Sequence, residues 1–174
     1  MRAGRLSTPS IARLVVGVML CLPAWSALAE PALTPQAIEA SVVSTGDTQR
    51  LRAVMERAQR GERIVLGYFG GSNTAGARSS TPAASFAGLV SRWWQERFPK
   101  AKIETVNAGA GGTGSIYGAL RAQRDLLSKS PDVVFVEFAI NDGWEEVNAE
   151  AYEGVLRQIL SQPQRPAVLA LFMM

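Results

Sequence analysis

Ser72 is the first residue whose type and position suggest chemistry. It lies in the stretch IVLGYFGGSNTAG (Ile64–Gly76), where a short apolar run leads into a glycine pair. The apolar run predicts a buried strand, and the glycines allow a sharp turn and a close approach to a ligand. A serine between a strand and a helix lies beside unpaired backbone amides, which suits a nucleophile or an anion-binding group. A serine that only caps the next helix would have the same local sequence, so both interpretations stay open.

Hydrophobic periodicity divides the rest of the chain into alternating strands and helices. Continuous apolar runs predict buried strands, and apolar positions three and four residues apart predict helices. The predicted strands are Ile64–Tyr68, Ile103–Asn107, Val133–Phe138 and a strand from Ala167; the predicted helices lie near Gln36–Val43 and over Gln49–Gln59 (with Thr48 as N-cap), Pro82–Phe98 (with Trp93 and Trp94 in the core), Ile116–Leu127 and Ala149–Leu160. This alternation predicts an α/β fold whose parallel sheet, in the order 2-1-3-4, is covered on both faces.

Three loops would meet at one edge of this sheet. Ser72 follows the first strand, Gly112 follows the second within AGAGGTGS (Ala108–Ser115), and Asn141 follows the third. Ligands of parallel α/β sheets bind beyond the carboxyl ends of the strands, so the three residues are expected to line one pocket. Asn-Asp-Gly is also a common β-turn sequence, and its position is what favours a functional interpretation.

The sequence resembles the SGNH (GDSL-type) hydrolase family from about residue 50 to its end. GGSNTAG resembles the first block of that family, NAGAGGTGS the second and VEFAINDG the third. The resemblance implies a three-layer α/β/α, flavodoxin-like fold. It also implies that Ser72 is the nucleophile, and that the Gly112 amide and the Asn141 side chain donate hydrogen bonds to the oxyanion. Three blocks in order at the predicted strand ends are more specific than any one of them.

The resemblance further implies a serine esterase that removes acetyl or other small acyl groups. The expected partner is a small-molecule or saccharide ester, and no metal or organic cofactor is implied. The preference for saccharides is inferred from predicted export and from similar family members. The sequence leaves the oligomeric state open.

The chain departs from the family in having no histidine. The fourth block of the family carries the general base, a histidine preceded three residues earlier by an aspartate. The lysines, Lys100, Lys102 and Lys129, precede the second or third predicted strand, and exposed carboxylates such as Asp142 are weak bases. The terminal apolar run AVLALFMM has no polar cap or covering helix, so we expect a fold that is incomplete at its C-terminus. Residues 1–174 alone are therefore expected to have little esterase activity.

The first 29 residues have the features of a secretory signal peptide: a basic start, an apolar middle and the cleavage site Ala27-Leu28-Ala29. We therefore predict an N-terminal extension over residues 30–48, a hydrolase-like domain over 49–174 and a periplasmic or extracellular location without a membrane anchor. Three of the 18 basic residues and none of the 15 acidic ones precede residue 30, which leaves 15 of each. This balance argues against nucleic acid as a partner.

Two other classes of function fit parts of the sequence. Gly109-x-Gly111-x-x-Gly114 matches a dinucleotide-binding fingerprint, and Glu137 lies near the end of the next strand along the chain, as such a site would require. However, this fingerprint belongs after the first strand, and export makes a nicotinamide cofactor a poor fit. The other alternative is a carbohydrate-binding remnant that keeps the pocket without the base.

Overall fold

The computed structural model describes residues 34–42, 44 and 46–172. The chain divides into two compact units, residues 1–43 and 44–174, so the boundary lies a few residues before the predicted domain start at 49. In the first unit, helix α1 spans Pro35–Ser41, and the Thr34 hydroxyl caps it by accepting a hydrogen bond from the Ala37 amide. The predicted signal peptide and the last two residues of the terminal apolar run lie outside the described residues.

The second unit alternates helices with parallel strands, as predicted. Its helices are α2 Gln49–Gln59, α3 Ser72–Ala75, α4 Phe86–Arg97, α5 Ser115–Asp125 and α6 Glu146–Leu160; its strands are β1 Arg63–Gly70, β2 Lys102–Gly109, β3 Val133–Glu137 and β4 Ala167–Ala170; short 3₁₀ turns span Pro82–Ala84 and Leu127–Lys129. The four strands pair in parallel in the order β2-β1-β3-β4. The α/β class and the strand order are therefore confirmed.

Each face of the sheet has its own hydrophobic core. On one face, α2 and α4 pack against alternate residues of the central strands, including Leu66, Tyr68 and Phe135. On the other face, α5 and α6 cover the intervening positions, among them Phe69 and Val136. The alternation of side chains along a strand explains how two continuously apolar strands supply both cores. The second unit thus has the predicted three-layer α/β/α architecture.

The start of α4 differs from the prediction. Pro82 begins a short 3₁₀ turn, and α4 begins at Phe86, with the Ser85 hydroxyl accepting a hydrogen bond from the Gly88 amide. Serine is a strong N-cap, and here it determines the helix start in place of the proline. Thr48 is the N-cap of α2, as predicted, but its side chain makes no capping hydrogen bond; the Asp47 carboxylate accepts one from the Gln49 amide.

The buried stripe of α4 also differs from the prediction. Trp94 is 3% exposed, as expected, but Trp93 is 47% exposed, so its assignment to the core is wrong. Ser91 is buried in that stripe because its hydroxyl pairs with the Tyr68 hydroxyl and accepts from the Thr105 hydroxyl, each at 3.0 Å. Because the polar Ser91 lies on the buried side of α4, hydrophobicity alone predicts the wrong buried side for this helix, and Trp93 is left partly in solvent.

Candidate active site

Ser72 is the first residue of α3, directly beyond the carboxyl end of β1. Gly71 makes the turn between the strand and the helix, and its amide donates to the carbonyl oxygen of Glu137 on β3 at 3.1 Å. This bond ties the start of the turn to the neighbouring strand. Ser72 is partly exposed at the carboxyl edge of the sheet.

Gly112 lies in the loop between β2 and α5 and is exposed. Its φ of +69° falls in the left-handed region, which glycine adopts without steric cost. The Thr113 hydroxyl donates to the Ala110 carbonyl oxygen at 2.8 Å, and the Ala110 amide donates to the Gly70 carbonyl oxygen at 3.0 Å. The second loop is thereby closed on itself and attached to the end of β1, next to the turn that carries Ser72.

Asn141 brings the third loop to the same place. Its side-chain nitrogen Nδ2 donates to the Thr113 carbonyl oxygen at 3.0 Å. The same atom lies 2.0 Å from the position that a Cβ on Gly71 would occupy, so only glycine permits this approach. The structure therefore brings Ser72, Gly112 and Asn141 together at one edge of the sheet, with Gly71 between the three loops.

Asp142 holds the second and third loops together, a role that the sequence analysis missed. Its Oδ1 accepts a hydrogen bond from the Ser115 amide at 2.8 Å, at the start of α5. The residue is half-buried and its Oδ2 is buried without a partner, so describing it as an exposed carboxylate is wrong. An aspartate beside the first amide of an eleven-residue helix satisfies an otherwise unpaired donor. Its geometry fits a structural cap better than a general base.

Arg121, on α5, contacts the ends of the two strands that lead into the first and second loops, and sequence reasoning missed it as well. Its guanidinium group donates to the Ala108 carbonyl oxygen at 2.6 Å and to the Gly70 carbonyl oxygen at 3.0 Å. The group also lies 4.6 Å from the centre of the Phe69 ring. The side chain is only 4% exposed, so these contacts replace water. The one sequence signal was an arginine among the inward positions of α5.

Glu137, the last residue of β3, is fully buried near the Thr74 hydroxyl. Burial raises the pKa of its carboxyl group, and the charge of Asp142 adds to that effect. The Ile140 amide and the Thr74 hydroxyl oppose it but make no full hydrogen bond to either carboxyl oxygen. A buried carboxyl group cannot reach a ribose hydroxyl, and β3 is not adjacent to β2. Both facts contradict the dinucleotide-binding alternative, which needed Glu137 as a ribose ligand.

Among the described residues at this edge, no histidine or lysine is present to accept the proton of Ser72. The 174 residues contain no histidine. Lys102 begins β2, Lys100 precedes it, and Lys129 precedes β3, so all three lysines lie at the amino ends of strands, opposite the site. Within the described part of the chain, no group of three or more histidine, cysteine or acidic residues is arranged to hold a metal ion. No described helix is long and apolar enough to cross a membrane.

Comparison with known proteins identifies the family. A family model described as GDSL-like lipase/acylhydrolase matches residues 68–172. The chain therefore belongs to the GDSL-like lipase/acylhydrolase family, and the resemblance to SGNH hydrolases is confirmed. A search of curated proteins found no match.

Solved structures support the same assignment. A two-domain esterase (CEX) active on acetylated mannans is 43% identical with a TM-score of 0.73, and the match covers 74% of this chain and 35% of the esterase. A second structure of that description, co-crystallized with mannopentaose, is 44% identical with a TM-score of 0.71, covering 72% of this chain and 34% of the other. AlinE4, an SGNH-hydrolase family esterase, is 24% identical with a TM-score of 0.54 over 64% of this chain and 59% of AlinE4, which is a likeness of fold. The chain thus spans about a third of the length of the two-domain esterase.

Proposed function

We propose that this chain carries the nucleophile and oxyanion hole of an exported serine esterase that hydrolyses acetyl or other small acyl esters. The observation that carries the proposal is the convergence on Gly71 of the loops that bear Ser72, Gly112 and Asn141. Membership of the GDSL-like lipase/acylhydrolase family supports the reaction class. Export rests on the sequence of residues 1–29 alone.

The chemistry follows from the positions of these groups. The Ser72 Oγ attacks the ester carbonyl carbon while its proton passes to an imidazole base, which the 174 residues do not contain and which added imidazole can replace, and the carbonyl electrons move to the oxygen. That oxygen would accept hydrogen bonds from the backbone amides of Ser72 and Gly112 and from Asn141. Collapse of this intermediate expels the alcohol, which takes up a proton, and leaves an acyl-serine. Water then attacks the acyl-serine and releases the carboxylic acid.

We propose a saccharide ester as the substrate. The similarity to an esterase active on acetylated mannans supports this choice. Trp144 supports it from the structure, because its indole ring is fully exposed three residues beyond Asn141. An aromatic ring can pack against the apolar face of a sugar while leaving the sugar hydroxyl groups in water. In this proposal the Trp144 ring contacts the sugar that carries the ester group.

A binding role without catalysis is the second candidate. The absence of histidine from the 174 residues favours it, since Ser72 then has no imidazole base within this chain. The same three loops and Trp144 would bind an acetylated glycan and leave it intact. The two candidates differ in whether Ser72 forms a covalent bond with the acyl group.

Hydrolysis of p-nitrophenyl acetate by the 174-residue chain, with and without added imidazole, separates the two candidates. Without imidazole we expect slow hydrolysis, since serine hydrolases that lack one triad member keep about 10³–10⁴-fold catalysis over water. Added imidazole should raise the rate by supplying the missing proton acceptor. The control variants are Ser72→Ala, which should leave only the free-imidazole rate, and Ser80→Ala, at an exposed position, which should behave as the parent chain. Equal rates for Ser72→Ala and the parent would contradict an esterase.

A further inference from the structure

Glu137 stands between two of the elements that build the site. Its backbone oxygen accepts the Gly71 amide hydrogen bond at 3.1 Å, directly before Ser72. It also ends β3, four residues before Asn141. Its carboxyl group is 0% exposed and neither oxygen has a hydrogen-bond partner. Unpaired buried carboxyl groups are costly, so this one requires an explanation.

Thr74, on the helix that begins with Ser72, is a polar residue whose side chain acts on the Glu137 carboxyl group. It is also fully buried, and its hydroxyl oxygen lacks a partner. A Cβ on Gly70 would lie 2.2 Å from the Thr74 hydroxyl oxygen and 2.1 Å from the Glu137 carbonyl oxygen. The missing side chain at Gly70 therefore lets Thr74 approach the end of β3. Two unsatisfied polar side chains from two blocks of the site share one buried space.

The charges around Glu137 favour its neutral form. The charge of Asp142, on the following turn, raises the pKa of Glu137. Glu137 in turn raises the pKa of Tyr152 on α6, whose hydroxyl donates to the Val136 carbonyl oxygen at 3.4 Å. Among the described ion pairs, none provides Glu137 with a lysine or arginine. A carboxyl group buried without a counter-charge takes up a proton in preference to staying ionised. A neutral carboxyl group is a hydrogen-bond donor as well as an acceptor.

We propose that Glu137 is a positioning residue, which as a neutral carboxylic acid hydrogen-bonds the Thr74 hydroxyl and so holds the Ser72 helix against the strand that leads to Asn141. The effect on catalysis rests on the proposed esterase function. The bond itself does not, and it can be tested without measuring turnover.

The first test is the pH dependence of thermal unfolding for the parent chain and for Glu137→Gln. The pKa of Glu137 is raised in the folded protein, so the folded state binds more protons than the unfolded state above an unfolded pKa of about 4.3. Its contribution to stability is complete below that pH and is lost as the pH rises through the folded pKa. Glutamine cannot ionise, so the Glu137→Gln variant should lose less stability than the parent chain as the pH rises through this range. Identical pH profiles would overturn the neutral-acid assignment.

The second test is amide hydrogen exchange at Gly71 and Asn141, whose amides donate to the Glu137 and Phe138 carbonyl oxygens. Thr74→Val keeps the shape of threonine but removes the hydroxyl, and Glu137→Leu removes the carboxyl group. Either should speed exchange at these amides by several-fold, up to about tenfold, as expected for one lost hydrogen bond. Thr74→Ser and Glu137→Gln, which retain donors and acceptors, should keep exchange near the parent rate. Unchanged exchange in Thr74→Val would overturn the proposed bond even if Glu137→Leu failed to fold.

The imidazole-supported assay then distinguishes the two proposals. If Ser72 is the nucleophile, Thr74→Val should lower kcat more than it raises KM, and Thr74→Ser should restore kcat. A positive exchange result with no Ser72-dependent hydrolysis would retain the Glu137–Thr74 bond and reject the esterase. Ser72-dependent hydrolysis with no change in exchange or kcat in Thr74→Val would retain the esterase and reject the Glu137–Thr74 bond.

Discussion

The Asn141 side-chain amide donates to the Thr113 carbonyl oxygen at 3.0 Å, which joins the loop after β3 to the loop after β2. One of the two Nδ2 hydrogens is used in this bond, and the proposed mechanism assigns the other to the substrate oxygen. Asn141 thus combines a structural role with the proposed catalytic one. The neighbouring Asp142 reinforces the same junction through the Ser115 amide.

Replacing Asn141 should therefore affect both properties. We expect Asn141→Ala to lower imidazole-supported kcat by about 10²–10³, the usual cost of one oxyanion donor, with a smaller change in KM. Asn141→Asp should unfold at a lower temperature than Asn141→Ala, because its carboxylate would face the Thr113 carbonyl oxygen. Steady-state kinetics and thermal melts measure these effects. A kcat unchanged in Asn141→Ala would remove this residue from the oxyanion hole.

Gly112 and Gly111 form a matched pair of positions. Neither has an atom within 4 Å of an added Cβ, but only Gly112 has a positive φ. Gly112→Ala should therefore cost about 1–2 kcal/mol of stability through backbone strain and should also displace the amide proposed to bind the oxyanion. Gly111→Ala should be close to neutral in both respects. Equal melting temperatures and rates for the two variants would contradict this prediction.

Much of this fold could be predicted from the sequence because each element is locally consistent. The apolar strands β1 and β3, alternating with amphipathic helices, require a parallel sheet covered on both faces. All four strands occur where they were predicted, although the edge strand β2 has a mixed sequence and is only partly buried. Predictions failed where tertiary contacts decide the outcome. Ser85 competes with Pro82 for the start of α4, and Ser91 takes an inward position because Tyr68 and Thr105 satisfy it.

The positions of the candidate site residues in the fold could be predicted from the sequence, but the buried residues that contact their loops could not. Ser72, Gly112 and Asn141 follow strand ends, which the sequence locates directly. Arg121 bonds to backbone carbonyl groups far from it in the chain, and no side-chain pattern encodes such partners. The burial of Glu137 likewise depends on the neighbours of β3 in the folded sheet.

Arg121 should be essential to the stability of the site. Arg121→Met keeps an apolar stem but leaves the Gly70 and Ala108 carbonyl groups buried without that donor, which we expect to cost about 2–4 kcal/mol. Arg124→Met, which removes a solvent-exposed arginine paired with Asp125, is the control and should change stability by about 0.5 kcal/mol or less. Chemical denaturation measures both. Equal losses in the two variants would show that the buried contacts contribute no more than an exposed ion pair.

Trp144 tests the proposed saccharide preference. Trp144→Ala should raise KM for an acetylated oligosaccharide by about tenfold while leaving KM for p-nitrophenyl acetate unchanged, because only the saccharide reaches the indole ring. Trp93→Ala is the control, since Trp93 on α4 packs with Trp94 and with Phe98, the residue after the helix. It should lower stability without this change in selectivity. An equal effect on both substrates in Trp144→Ala would argue against a saccharide contact.

The central claim is that Ser72 is an acyl-accepting nucleophile, and covalent labelling tests it most directly. The 174-residue chain is incubated with a reactive phosphonate ester in the presence of imidazole, and the adduct is located by mass spectrometry of peptides. We predict a single phosphonyl group on Ser72, faster labelling than in Asn141→Ala and no labelling in Ser72→Ala. Labelling of another residue, or equal labelling of Ser72→Ala and the parent chain, would contradict the proposed mechanism.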